Sequence, residues 1–231
     1  MLRPAYPLET ARLQLRPFSP GDLEGLYAFH SRAEVARFLD WEARDLEQVR
    51  QVLDAKTRQT VLEHEGQVLA LAVVLRETGV VVGEVSLQWL SRRRRQGEIG
   101  FVFHPGYQGR GAGHEAAEVV LGLGFDGLGL HRVIGRCDAL NLPSARLMER
   151  LGMRREAHFV HNEIFKGSWG DELVYALLED EWRGGSAAAG RGEAAPSRTW
   201  QAPAASSTCL PSTGPSSPTL GGRHRADGPR P

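Results

Sequence analysis

The residues best suited to chemistry gather between Glu98 and Ala117, where Gly109, Gly111 and Gly113 recur at every second position between an apolar strand and an apolar helix. Glycines in that setting let backbone N–H groups converge on one point, and the first turn of a helix adds unpaired donors and a positive dipole end. Such a combination holds a phosphate group. The strand before it alternates Ile99, Phe101 and Phe103 with Glu98, Gly100 and His104. It stops at His104-Pro105-Gly106, because proline has no N–H to give to a ladder. The helix after it runs from Ala112 to Phe125, with Ala116, Val119, Val120 and Leu123 at helical spacing. A second polar group, Asn141-Leu142-Pro143-Ser144, opens a helix that reaches Leu151. There Asn141 caps, Pro143 sits in the first turn and Gly152 terminates.

Two phosphate-bearing ligands fit such a loop. Gly111-x-Gly113-x-x-Ala116 satisfies the dinucleotide pattern Gly-x-Gly-x-x-Gly/Ala, with Asp138 after the following strand. That pattern opens its domain directly after a first strand, whereas here roughly a hundred residues precede it. The pattern Gln/Arg-x-x-Gly-x-Gly/Ala is met by Gln108, Gly111 and Gly113, and in it the chain resembles the GNAT N-acetyltransferases at their acetyl-CoA loop. Three further segments resemble that family in the same order. Leu8-Glu9-Thr10-x-Arg12-Leu13-x-Leu15-Arg16 is similar to its opening strand in the RimJ/RimL-like branch, the ribosomal-protein N-terminal acetyltransferases. Asn141-x-x-Ser144 with Leu147-x-Glu149-Arg150-Leu151-Gly152-Met153 resembles the second cofactor segment. Trp169-x-Asp171 and Val174-Tyr175-Ala176-Leu177-Leu178 resemble the branch's closing strands, so the resemblance covers residues 8–183.

The resemblance implies an α/β (α+β) fold, a mixed, mostly antiparallel sheet of about seven strands flanked by about four helices. It implies N-acetylation of a primary amine by direct transfer from acetyl-CoA. Backbone groups of Phe101, Val102 and Phe103 would serve the pantetheine and the thioester carbonyl. The N–H groups of Gln108, Gly109, Arg110, Gly111, Ala112, Gly113 and His114 would hold phosphates. Asn141 would bond the pantetheine arm, and Ser144 would stand near the departing sulfur. A protein N-terminal α-amine is the first acceptor implied, with small amines such as antibiotics or amino-acid derivatives beside it. A non-catalytic acyl-CoA-binding module is the reading from another class, and the dinucleotide pattern keeps a nicotinamide-dependent oxidoreductase open.

Acetyl transfer needs a neutral amine. An α-amino group of pKa near ~8 is already partly neutral at pH 7, whereas a lysine near ~10.4 is neutral in about one molecule in 2,500. A lysine acceptor therefore demands a base and an N-terminal one barely does. Glu98 is the catalytic candidate beside Ser144, while His104 on the same strand face and Glu163 on a later strand are alternatives. His114 stands where the family carries a small or hydroxyl residue, and Glu115 reads as structural. His131, His158 and His161 lack metal-ligand spacing, so no metal is expected.

The elements that must position these groups follow from the pattern. Thr10–Phe18 is a strand, and Asp22 caps a helix that buries Leu26 and Phe29. Glu34–Leu39 continues helically, and Asp45–Thr60 is a helix with Leu46, Val49, Val52 and Leu53 inward. Phe38 and Trp41 between them are candidates to line the acceptor pocket. Gln67–Arg76 and Val80–Leu90 form a hairpin, Arg92–Arg95 a short solvated loop, and His131–Cys137 a strand joined to Glu98–Phe103 by a right-handed crossover. Phe159–Phe165 and Asp171–Leu178 close the domain, with residues 166–170 between them.

Of 231 residues, 41% are hydrophobic, enough for one substantial core over residues 1–183. Lysine plus arginine and aspartate plus glutamate number 28 each, and the zero net charge excludes bulk attraction to nucleic acid or membrane. No apolar run approaches the ~20 residues of a membrane span, and the start lacks a signal-peptide core. Two cysteines, Cys137 and Cys209, make no disulfide framework, so the cytoplasm is expected, as a monomer or homodimer. From Gly184 onward Gly, Ala, Pro, Ser and Arg dominate, a composition expected to stay disordered.

Overall fold

The computed structural model describes residues 1–189. Eight strands form one sheet: β1 (Leu8–Glu9), β2 (Leu13–Pro17), β3 (Val68–Leu75), β4 (Val81–Ser91), β5 (Gln96–Phe103), β6 (Arg132–Asp138), β7 (Arg154–Phe165) and β8 (Ser168–Leu178). Their order is β1-β2-β3-β4-β5-β6-β8-β7. Every neighbouring pair is antiparallel except β5 and β6. The helices are α1 (Leu23–His30), α2 (Ala33–Ala36), α3 (Leu46–Lys56), α4 (Ala112–Gly122), α5 (Leu142–Arg150) and α6 (Glu179–Ala189). The mixed, mostly antiparallel sheet is the expected one, extended at its edge by the two-residue β1. It leaves no room for the dinucleotide reading, which needs a parallel sheet.

Two apolar layers fix the helices. One face of the sheet, with Leu15, Leu71, Val85, Leu87, Ile99 and Phe103, packs on Ala112, Ala116, Val120 and Phe125 of α4 and its extension. The other face, with Ala72, Val74 and Val81, packs on Leu26 and Phe29 of α1 and Val49 and Leu53 of α3. α3 begins with a reciprocal cap: Gln48 N–H donates to Asp45 Oδ1 at 2.8 Å and Asp45 N–H donates to Gln48 Oε1 at 2.9 Å. Its inward stripe is narrower than expected, since Leu46 is exposed and Val52 half-buried.

Asp22 does not cap α1. Its buried carboxylate accepts both arms of Arg16 at 2.7 Å and the N–H and hydroxyl of Ser19 at 2.7 and 2.9 Å, so the fork takes the oxygens a helix start would have used. The β7–β8 connection is a two-residue turn, Lys166-Gly167, with φ of +48° and +81°. That is the hairpin geometry favoured between twisted strands, and it lengthens β8 to Ser168 where a five-residue loop was expected. The arginine turn is exposed, as expected, and from it Arg95 also reaches Gly129 O at 2.6 Å and Glu179 of α6 at 2.8 Å. α6 runs six residues past Arg183, into the segment expected to be disordered, on an acidic first turn and an alanine run. The rest of that segment lies outside the described residues.

Candidate active site

β5 and β6 are in register over only three pairs, Gln96 with Arg132, Gly97 with Val133 and Glu98 with Ile134. Beyond Glu98 they part, and β5 keeps only its antiparallel partner β4 as far as Phe103. His104 N–H donates to Val82 O on β4, so by alternation the backbone groups of Val102 face β4 as well, while those of Phe101 and Phe103 face the gap. The three backbone donors expected there reduce to two residues.

At the end of β5 a short 3-10 turn, Pro105–Tyr107, leads into the glycine loop. His104 Nδ1 accepts the Gly106 N–H at 3.0 Å, and burial together with nearby Arg32 pushes the imidazole pKa below its ordinary value. Gln108 is spent on the turn: its N–H donates to Pro105 O at 3.2 Å and its side-chain amide to Phe103 O at 3.1 Å. The phosphate cradle therefore starts one residue later than expected. Among the described residues, none of the six N–H groups of residues 109–114 donates to a protein acceptor. The first that does is Glu115, to Gly111 O at 3.1 Å. Gly111 sits at φ +83° as the α4 cap, a conformation that side chains resist. Six converging donors at the start of an eleven-residue helix fit a pyrophosphate.

The cradle is tied down from behind. Glu115 accepts the Thr10 hydroxyl, the Arg12 N–H at 3.0 Å and Arg12 Nε at 2.8 Å, and Arg12 also donates to Arg110 O at 2.8 Å. Burial would raise the Glu115 pKa, but these donors outweigh it and hold the carboxyl below its usual range. The structural role expected of Glu115 is the one seen. Glu115→Ala is expected to cost about 1.5–3 kcal/mol in denaturant unfolding, the range for hydrogen bonds to a charged group. It should also raise the KM for acetyl-CoA several-fold. His114 turns its ring away from the cradle, to Arg150 O at 3.2 Å and Glu118 at 3.2 Å.

Across the gap, Asn141 caps α5: its Oδ1 accepts the Ser144 N–H at 3.3 Å. Among the described residues the Ser144 hydroxyl has no protein partner, which leaves it free to donate.

The face of the gap opposite α4 is polar. Register places Glu98 of β5 beside Ile134, Arg136 and Asp138 of β6 and Glu172 of β8. Arg136 grips both oxygens of Glu98 through Nε and one terminal nitrogen, at 3.0 and 2.9 Å, and its other terminal nitrogen lies 3.8 Å from Glu172. From the far edge, Lys166 at the β7–β8 turn donates to Ala36 O at 2.9 Å and Trp41 O at 3.0 Å and pairs with Glu42 at 3.1 Å. The hairpin thus reaches over the ends of β5 and β6 to the α2–α3 connection. Trp41 lines a cleft of about 430 Å³ beside α3, whose lining includes neither Phe38 nor any residue of β5 or β6. Among the described residues no group of three or more His, Cys, Asp or Glu is arranged for a metal ion, and no helix is long and apolar enough to cross a membrane.

Residues 12–154 match the family model described as the acetyltransferase (GNAT) domain. The chain belongs to the GNAT acetyltransferase family. It is similar to YnaD of Bacillus subtilis strain 168, an uncharacterized N-acetyltransferase, at 36% identity over 76% of this chain and 98% of that one. A GNAT-family acetyltransferase from Bacillus anthracis has the same fold, with a TM-score of 0.67 at 30% identity over 75% of this chain and 98% of that chain. A spermidine N-acetyltransferase from Vibrio cholerae, solved with CoA and spermine, is alike in fold, with a TM-score of 0.64 at 18% identity over 75% and 99% of the two chains. The protein is thus an N-acetyltransferase, from a family that uses acyl-CoA.

For this GNAT enzyme the glycine cradle was legible in sequence, but the gap between β5 and β6, Arg136, Lys166 and Glu172 were not. Arg136 alternates with Ile134 along β6, yet only the β5–β6 register shows that it meets Glu98. Lys166-Gly167 lacks the asparagine or aspartate that usually marks a two-residue hairpin turn.

Proposed function

We propose that this enzyme transfers acetyl from acetyl-CoA to a primary amine that reaches the gap from its polar face, a protein N-terminal α-amine being the first acceptor. The observation that carries the cofactor side is the set of unpartnered N–H groups from Gly109 to His114 above the gap between β5 and β6. In this reading Phe101 and Phe103 offer backbone groups to the pantetheine, Asn141 its side-chain amide, and Ser144 a proton near the sulfur. Arg110, exposed beside the cradle, adds positive charge. Acetyl-CoA supplies the activated acetyl group when bound.

Transfer is direct in this reading. Burial, with Asp138, Glu172 and Glu149 nearby, pushes the Cys137 thiol up to about 11, so at neutral pH it stays protonated and is no nucleophile. The Lys166 contact supports an N-terminal acceptor: an extended chain end can enter beneath a hairpin that would exclude a lysine on a folded surface. The carboxylates Glu98, Asp138, Glu163 and Glu172 on that face favour a second reading, a flexible polyamine. Dependence on acetyl-CoA makes the cytoplasm our proposed location.

The test begins with ligand-induced stabilisation. Acetyl-CoA at 100 times its Kd should add about 2.7 kcal/mol, raising Tm by roughly 5–10 °C, while NADH leaves it unchanged. Thiol release is then followed with peptides bearing Ser and Ala N-termini and with spermidine. Stabilisation by acetyl-CoA without release from any of these amines would refute the acceptor assignment and leave the cofactor site standing.

A further inference from the structure

Of the carboxylates around the gap, Glu98 has both oxygens committed to Arg136, one to Nε at 3.0 Å and one to the terminal nitrogen at 2.9 Å. Asp138 Oδ1 accepts the Leu140 N–H at 2.7 Å. Asp171 holds His158 and the His161 N–H, and Glu163 is exposed. Glu172 differs. It sits on β8 directly opposite Asp138, its side chain is only 18% exposed, and Asn162 donates to its Oε2 at 3.0 Å. Its Oε1 has nothing closer than Arg136 at 3.8 Å, too long for a hydrogen bond. Among the described residues, Glu172 Oε1 and Asp138 Oδ2 are the sheltered carboxylate oxygens on the polar face without a hydrogen-bond donor, but Asp138 is folded back onto its own turn whereas Glu172 is held from the neighbouring strand by Asn162.

We propose that Glu172 is the group that takes the proton from the acceptor amine, and that Arg136 holds Glu98 out of that role. This rests on the amine-acceptor reading above. The acceptor's ammonium gives one proton to Glu172 Oε1. The freed nitrogen lone pair forms the C–N bond to the acetyl carbon while the C–S bond breaks. The nitrogen's surplus proton goes to the departing thiolate, leaving the amide and free CoA thiol, and Glu172 returns its proton to solvent. The environment suits the task, because burial first, then Glu163 and Glu98, raise the Glu172 pKa against the opposing pull of Arg136. A carboxylate so placed is a stronger base than one in water.

The raised pKa also gives a readout that needs no substrate. A carboxyl whose pKa is higher in the fold than in the unfolded chain costs stability once it ionises, so that cost appears as pH rises through its titration and vanishes below it. Glu172→Gln should therefore melt at or above the wild-type temperature at pH 7, with the difference closing on acidification. Its Gln oxygen can still accept from Asn162.

The experiment compares wild type with Glu172→Gln, Glu172→Asp and Glu98→Gln by thiol release across about pH 5.5–9, with spermidine and the Ser and Ala peptides as acceptors, alongside acetyl-CoA affinity and Tm. The expected result for Glu172→Gln is a fall in kcat of about 100-fold or more, acetyl-CoA affinity and Tm preserved, and partial recovery in Glu172→Asp. Glu98→Gln should stay within about tenfold of wild type, below the range of a lost general base. Near-normal turnover by Glu172→Gln, or a loss that follows lowered Tm and acetyl-CoA affinity, would overturn the assignment. A wild-type enzyme that binds acetyl-CoA but acetylates none of the three amines would overturn the acceptor reading and this proposal with it. That result is distinct from an active wild type whose Glu172 is dispensable.

Discussion

Replacing Lys56 by methionine is expected to destabilise the fold by about 3–5 kcal/mol, because it strips the main partner from a buried carboxylate. Glu84 lies on β4 under α1 and α3, with Lys56 Nζ at 2.8 Å from one oxygen and His30 Nε2 at 3.4 Å from the other. Burial alone would raise the Glu84 pKa, but Lys56 and His30 overcome it and hold the carboxyl at about 2. His30 is itself buried, and Arg44 donates to its Nδ1 at 2.9 Å. Arginine has no acceptor, so Nδ1 is unprotonated and the ring proton sits on Nε2, facing Glu84. Trp41 stacks on the imidazole at 4.7 Å and carries the Arg44 guanidinium 4.1 Å above its own ring. The whole α2–α3 connection is thus anchored to one buried charge.

The sign of the pH dependence follows. Glu84 is depressed in the fold, so its contribution is complete above the ordinary carboxyl range near 4.5 and is lost as pH falls towards 2. A shift of that size corresponds to about 3 kcal/mol. In Lys56→Met burial wins, the carboxyl rises, and the dependence reverses: the variant should gain stability relative to wild type as pH falls from 7 to 5. Urea unfolding at both pH values measures the effect, with a Tm loss of roughly 6–20 °C at pH 7. A drop below 1 kcal/mol would mean that water reaches Glu84.

This anchor was invisible in the sequence, and the reason is physical. Glu84 is the single acid of an apolar strand, and nothing local says that Lys56 and His30 come from two helices to meet it. What was legible was whatever the chain writes locally. The Asn141-Pro143 start and Gly152 stop of α5, the Asp45 cap of α3 and the glycine loop before α4 all lie within one turn of the residues they organise. Where a contact depends on register, local reading stopped short. The grip of Arg136 on Glu98, the bond from Gln108 to Phe103 O and the reach of Lys166 to Trp41 O span from 5 to 125 residues and needed the folded sheet. Asp22 shows the converse, a sound local expectation overridden because the Arg16 fork from the preceding strand reached its carboxylate first.

Gly111→Asp should abolish acetyl-CoA binding while leaving the enzyme folded. Gly111 caps α4 at φ +83°, a region that aspartate enters more easily than most residues, so the backbone strain is about 1–2 kcal/mol. A Cβ there would come 3.1 Å from an Arg12 terminal nitrogen, the mobile end of a flexible side chain that can shift and pair with the new acid. The damage falls on the cradle. The new carboxylate would add a negative charge at the edge of the cradle, where among the described residues no protein acceptor uses the N–H groups of residues 109–114, and so would oppose a pyrophosphate held there. Two like charges about 4 Å apart near a protein surface repel by roughly 4 kcal/mol, close to a thousandfold in affinity. Calorimetry with acetyl-CoA should therefore find at least a 100-fold weaker Kd, with Tm lower by only about 2–8 °C. Gly109→Ala tests the same geometry without the charge. Gly109 has φ +73° and open space around its Cβ position, so the strain appears alone and the affinity should fall about tenfold or less. If both variants bound acetyl-CoA as tightly as wild type, the glycine loop would be a chain turn and the phosphates would have to be held elsewhere.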